Sequence, residues 1–180
     1  MEDLSLHILD IAENSLAAGA THVSIRIHEG CQEDRLTLEI ADNGRGMGSG
    51  ALQEAADPFF TTRTTRRVGL GLPLLEQAAR RAGGELRIES RPGAGAKVTA
   101  VFQLSHIDRQ PLGDVAGTLL SLVIGHPEVD FTYLHQRDGS EVSFSARETA
   151  AQLGGIPLSA PAGIAAVRRS LERVREYVRG

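Results

Sequence analysis

Residues 7–27, HILDIAENSLAAGATHVSIRI, change their hydrophobic period part-way along. Leu4, Ile8, Ile11, Ala12 and Leu16 recur three and four apart, which predicts a helix with one buried stripe, and Gly19 suits its end. From His22 the residues alternate apolar and polar, which predicts a strand with one face in a core. A second alternating run, RLTLEIA (35–41), follows the polar turn EGCQED and leads directly into DNGRGMGSG. Helix, antiparallel hairpin and glycine loop in this order predict an α+β fold with helices packed on one sheet face.

The pattern repeats downstream. ALQEAA (51–56) reads as a short helix broken at Asp57-Pro58, and residues 59–72 read as loop. Pro73 suits the first turn of a new helix that stops at Gly83-Gly84. Strands are expected at 85–91 and 96–104, joined by PGAG. Beyond a linker, SHIDRQP (105–111), come a helix at 112–125, a hairpin around RDGS and a capping-box helix opened by SARE (145–148). A final amphipathic helix follows over 162–180. The expected organisation is one domain over 1–104 and a small α+β appendage over 111–180.

Composition limits the functional class. The chain has 180 residues, 41% hydrophobic and 23% charged, with no Trp and 4% aromatic, so its core must be mainly aliphatic. A formal net charge of -4 provides no global attraction for nucleic acid or an anionic membrane, and neither is expected as a partner. Five arginines on the last helix (Arg168, Arg169, Arg173, Arg175, Arg179) are interleaved with Glu172 and Glu176, which reads as a solvated or partner-facing surface. Cys31 stands alone in a polar turn, without disulfide or zinc spacing, and is expected to be a free thiol. No apolar run reaches membrane-spanning length. A cytoplasmic location is expected.

Four stretches carry chemistry. In DIAEN (10–14), Asp10 and Asn14 lie one turn apart on a helix. They read either as a solvated face or as a pair in which the Asn14 amide oxygen ligates Mg2+ and the Asp10 carboxylate orients or deprotonates a water. DNGRGM (42–47) reads equally as an ordinary turn or as a loop whose Gly44 and Gly46 let backbone approach a flat ligand, with Asp42 accepting from an exocyclic amine. DPFFTTRTTRR (57–67) sets Arg63, Arg66 and Arg67 beside Phe59 and Phe60, a cationic loop with an apolar anchor. GLGLP (69–73) leads glycines into a helix N-terminus, where free backbone N–H groups favour phosphate. It lacks the spacing of a dinucleotide fingerprint and the Gly-Lys-Ser/Thr of a P-loop.

Taken together and in this order, DIAEN, DNGRGM, DPFFTTR and GLGL resemble the N, G1, F and G2 boxes of the GHKL ATPases. That superfamily includes sensor histidine kinases, anti-sigma serine kinases, mismatch-repair ATPases, type II topoisomerases and heat-shock chaperones. GLGLPLLEQAARRAGGELRIESRPGAGAKVTAVFQL is most similar to the histidine-kinase catalytic domain, and ENSLAAGATHVSIRI to the mismatch-repair branch. The resemblance covers residues 4–104. It implies a two-layer α/β sandwich, the histidine-kinase-like ATPase fold, that binds ATP or ADP with Mg2+. It implies Asn14 as Mg2+ ligand, Asp42 as partner of the adenine amine, and Gly44, Gly46 and Met47 closing that pocket. Phe59 and Phe60 would support a lid, Arg63 would be a lid cation, and Gly69, Leu70, Gly71 and Leu72 would meet the phosphates.

Asp10 holds the place of the general base, which is Glu in the hydrolysing branches and Asn in most histidine kinases. A threonine of the adenine pocket is replaced by Ala96, and a strand that usually leads into the N-box helix has almost no room. The six histidines are scattered and lack the context of a kinase phosphoacceptor. The resemblance therefore implies a Mg-dependent ATPase or a protein kinase acting on a partner. An alternative is an anti-sigma-like regulatory module that binds nucleotide with little hydrolysis.

Overall fold

The computed structural model describes residues 3–48 and 71–180. Helix α1 (Leu4–Ala17) starts at Asp3, whose carboxylate accepts the Leu6 N–H, a side-chain cap on a free N-terminal amide. The expected hairpin follows as β1 (His22–Gly30) and β2 (Arg35–Asp42). Helix α2 (Gly71–Arg81) begins two residues ahead of Pro73, which still falls in the first turn, where its missing N–H costs nothing. Next come β3 (Glu85–Ser90), β4 (Ala96–Gln103) and α3 (Val115–Gly125). The chain ends with β5 (Asp130–Arg137), β6 (Ser140–Ser145), α4 (Ala146–Ala151) and α5 (Pro161–Arg179).

All six strands form one sheet in the order β3-β4-β2-β1-β5-β6. Neighbours are antiparallel except β1 and β5, which run parallel from His22↔Asp130 to Glu29↔Arg137. Val23, Ile25 and Ile27 of β1, Leu36, Leu38 and Ile40 of β2, and Ala100 and Phe102 of β4 are buried. Their alternates Arg26 and His28 are exposed, and on that face Lys97 pairs with Glu39 at 2.7 Å. The period-2 pattern thus puts one face under the helices and leaves the other to water. This is the two-layer α/β arrangement that the resemblance implies.

The segment expected as an appendage is α+β, and it is continuous with the rest of the molecule. Its hairpin extends the sheet, covering the outer edge of β1. Its Leu119, Val123, Val167 and Leu171 belong to the same buried cluster as Ile8 and Ile25. The division near residue 104 separates motif-bearing from motif-free sequence, not one core from another. No helix among the described residues is long and apolar enough to cross a membrane.

Candidate functional site

The ends of α1, β2 and β4 meet at a cleft of about 810 Å³. Its lining includes Ile11, Asn14 and Ser15 from α1, Asp42 at the end of β2, Met47 beyond it, and Val98 from β4. The walls are largely apolar, and Asp42 is the one carboxylate among the described lining residues.

Asp42 is held by three donors. The N–H groups of Gly44 and Ala96 donate to Oδ1 at 2.8 and 3.3 Å, and the Ser15 hydroxyl donates to Oδ2 at 2.8 Å. The Asp-Asn-Gly turn is therefore folded around the carboxylate, and the start of β4 closes on it. Asn43 fastens the same turn to β1. Its Oδ1 accepts the N–H groups of Thr21 and His22, both at 2.9 Å, and its Nδ2 donates to Thr21 Oγ1 at 2.9 Å.

The glycines act through close approach. A methyl on Gly44 would sit 3.0 Å from the Ala18 Cβ, so the loop lies directly against the end of α1. Gly46 has φ +65° and faces the Arg91 carbonyl, leaving no room for a side chain. The Met47 N–H donates to Ser90 Oγ at 2.8 Å, and the Gly93 N–H to the Arg45 carbonyl at 2.7 Å. The β3–β4 turn thus holds the loop from the side away from α1.

Asp10 and Asn14 keep their shared line on α1. Asn14 is half-buried at the cleft, and Asp10 is exposed beside the start of α2. A methyl on Gly71 would lie 3.0 Å from Asp10 Cβ and 3.1 Å from Oδ2. Gly71 therefore brings the α2 N-terminus against this carboxylate. Leu72 points into the core, being only 8% exposed, so only its backbone is available to a ligand. Glu13 diverges as its helical angle implies, its carboxylate 3.9 Å from His126. His7 lies on the same helix, three residues before Asp10. It is buried with Nε2 3.0 Å from Gln110 Oε1, and burial pushes its pKa down against that hydrogen bond. Phe59, Phe60, Arg63, Gly69, Leu70 and the short helix at 51–56 lie outside the described residues.

The amide oxygen of Asn14, at the cleft, suits a hard cation such as Mg2+ that takes its other ligands from water and phosphate. Among the described residues no three His, Cys, Asp or Glu side chains cluster as metal ligands.

Sequence reasoning missed Ser15, although a signal was present. Ile8, Ile11, Ala12 and Ser15 follow the i, i+3, i+4, i+7 spacing of a buried stripe. Ser15 is the polar member of that stripe, 3% exposed.

Residues 2–106 match the family described as histidine kinase-, DNA gyrase B-, and HSP90-like ATPase. The sensor protein kinase FleS of Pseudomonas aeruginosa is 37% identical over 97 residues, covering 54% of this chain and 24% of the kinase. The histidine-protein kinase AtoS of Escherichia coli is 32% identical over 99 residues, covering 54% and 16%. The chain therefore spans less than a quarter of the length of these kinases. Among solved structures, the Aquifex aeolicus MutL ATPase domain complexed with ADP superposes with a TM-score of 0.53 at 18% identity, over 80% of this chain and 64% of that one. The N-terminal domain of a DNA repair protein gives 0.57 at 17% identity, over 79% and 52%.

Proposed function

Because the chain belongs to the histidine kinase-, DNA gyrase B-, and HSP90-like ATPase family, we propose that its cleft binds ATP with Mg2+ and that the nucleotide governs action on a protein partner. The observation that carries this reading is the state of Asp42. A carboxylate offers about four acceptor positions. Gly44 and Ala96 take both on Oδ1, and Ser15 takes one on Oδ2. The last position on Oδ2 matches a ligand N–H, and the adenine amine supplies one between apolar walls that suit a flat base. A hydrogen bond to an ionised acceptor is stronger than a neutral one.

Asn14 would hold the Mg2+ through its amide oxygen, and the metal would supply charge neutralisation at the phosphates. The N-terminal N–H groups of α2, beginning at Gly71, favour the same anionic groups. Gly69, Leu70, Arg63, Phe59 and Phe60 complete the assignment by resemblance. Asp10 would take a proton from a water if ATP is hydrolysed. The reaction is then ATP hydrolysis or phosphoryl transfer to a partner. The second reading, a regulatory module that binds nucleotide with little turnover, is favoured by the position of Asp10. It sits against Gly71 with a side chain one methylene shorter than Glu.

Calorimetric titration of the purified protein with ATP, with and without Mg2+, tests the reading. Binding is expected, stronger with the metal. Asp42→Asn puts a donor where the base needs an acceptor and is expected to weaken binding at least about tenfold, since a hydrogen bond to a charged group contributes roughly 1.5 kcal/mol or more. Wild-type affinity in that variant overturns the assignment of the cleft.

A further inference from the structure

The structure assigns to Ser15 the role of a positioning residue that makes the cleft select a 6-aminopurine over a 6-oxopurine. The assignment rests on the reading of Asp42 as the acceptor for the base. Ser15 is almost fully buried, and its hydroxyl lies 2.8 Å from Asp42 Oδ2 and 3.2 Å from the Ile11 carbonyl. A hydroxyl has one proton to give. The ionised, nearer acceptor takes it, because charge-assisted hydrogen bonds are the shorter and stronger ones.

The two oxygens of Asp42 are therefore anchored from opposite sides. Gly44 and Ala96 hold Oδ1 through backbone N–H groups, and α1 holds Oδ2 through Ser15. Ser15 is the one side chain that donates to this carboxylate among the described residues. Ala96 lines the cleft next to it but contributes only its N–H. With both ends fixed, the remaining acceptor position has a single direction.

That direction decides the base. A 6-aminopurine presents an N–H at its C6 substituent. A 6-oxopurine presents a carbonyl oxygen there, which an ionised carboxylate repels, and carries its N–H at the neighbouring ring nitrogen instead. A carboxylate free to turn could follow the N–H to that position. One pinned by Ser15 cannot. Missing a partner for a buried polar group is what gives a hydrogen-bonding site its discrimination.

The test compares ATP with inosine triphosphate, which differs at this edge, by titration of the full chain with Mg2+ present. The wild type is expected to prefer ATP by at least tenfold. In Ser15→Ala, ATP affinity should fall about tenfold while affinity for inosine triphosphate stays level or rises, so the ratio collapses. Adding Ala96→Ser to Ser15→Ala returns a hydroxyl to Asp42 from β4 and should restore much of the ratio. If Ser15→Ala does not fold, Ser15→Cys keeps the volume with a weaker donor and should give an intermediate ratio. Equal losses for both nucleotides, or an unchanged ratio in either variant, overturn the role of Ser15 alone. A wild type that binds both nucleotides equally overturns the reading of Asp42 beneath it.

Discussion

In the proposed reading, Asp10 is the side chain that separates hydrolysis from binding alone. It lies one turn before Asn14, beside the proposed metal, with its carboxylate against the first residue of α2. A carboxylate in this place can accept a proton from water, and an amide cannot. If the protein hydrolyses ATP, Asp10→Asn should lower phosphate release by about 100-fold, the scale of general-base catalysis. ATP affinity measured by calorimetry should change little, because the proposed adenine contact, Asp42, and the proposed metal ligand, Asn14, are other side chains. Unchanged release would exclude Asp10 as the base. Its place on one face with Asn14 was legible from spacing, because residues four apart on a helix share a face, while its role as a base is implied by the resemblance. Its approach to Gly71 was not, because α2 lies about 60 residues further along the chain, at Gly71–Arg81.

At the scale of elements, the cleft is two turns locked together. The loop after β2 turns at Gly46, against the Arg91 carbonyl. The turn before β4 bends at Gly95, φ +77°, against the Asp42 carbonyl. Each glycine makes room for the other turn's backbone, so the lock has no space for a Cβ. Gly95→Ala should destabilise the protein by roughly 2 kcal/mol or more, from its left-handed conformation and the clash together. It should also weaken ATP binding, because Ala96 would no longer reach Asp42. Denaturant unfolding and nucleotide titration would check the two effects. A variant with wild-type stability would show that the turns are not locked. PGAG reads as a plain connection in the sequence, and nothing local marks it as the partner of a loop some fifty residues earlier.

Across the whole molecule, the far end of β1 anchors the C-terminal segment. Glu29, 8% exposed, accepts from His135 Nε2 at 2.7 Å and Arg137 Nη2 at 2.9 Å. Tyr177 of α5 packs edge-on against His135 with centroids 4.9 Å apart, and the Arg137 guanidinium lies 5.5 Å from the centre of the same ring. Burial opposes ionisation of Glu29. The hydrogen bonds from His135 and Arg137 outweigh it and hold the carboxyl at about 2, below its ordinary 4.5. A carboxylate with a lowered folded-state pKa adds stability above its unfolded value, and loses it as pH falls through the folded one. Stability should therefore decline between pH 4.5 and about 2. Glu29→Gln should cost roughly 3 kcal/mol near neutrality, the scale of breaking a buried pair, and flatten that acid limb. Urea unfolding across this pH range would show it, and an unaltered acid limb would remove Glu29 from the account.

The sequence by itself determined what depends on near neighbours. The helical stripe from Leu4, the alternation in both early strands, the capping box at Ser145 and the four ordered motifs are all local, because side-chain direction repeats every few residues. It also marked Asn14 and Asp42 as candidates. Only the tertiary structure decided which distant pieces meet. His22 pairs with Asp130 across 108 residues, Ser15 reaches Asp42, and the β3–β4 turn closes on the glycine loop. These contacts depend on which apolar faces are buried together, and no local period encodes that choice.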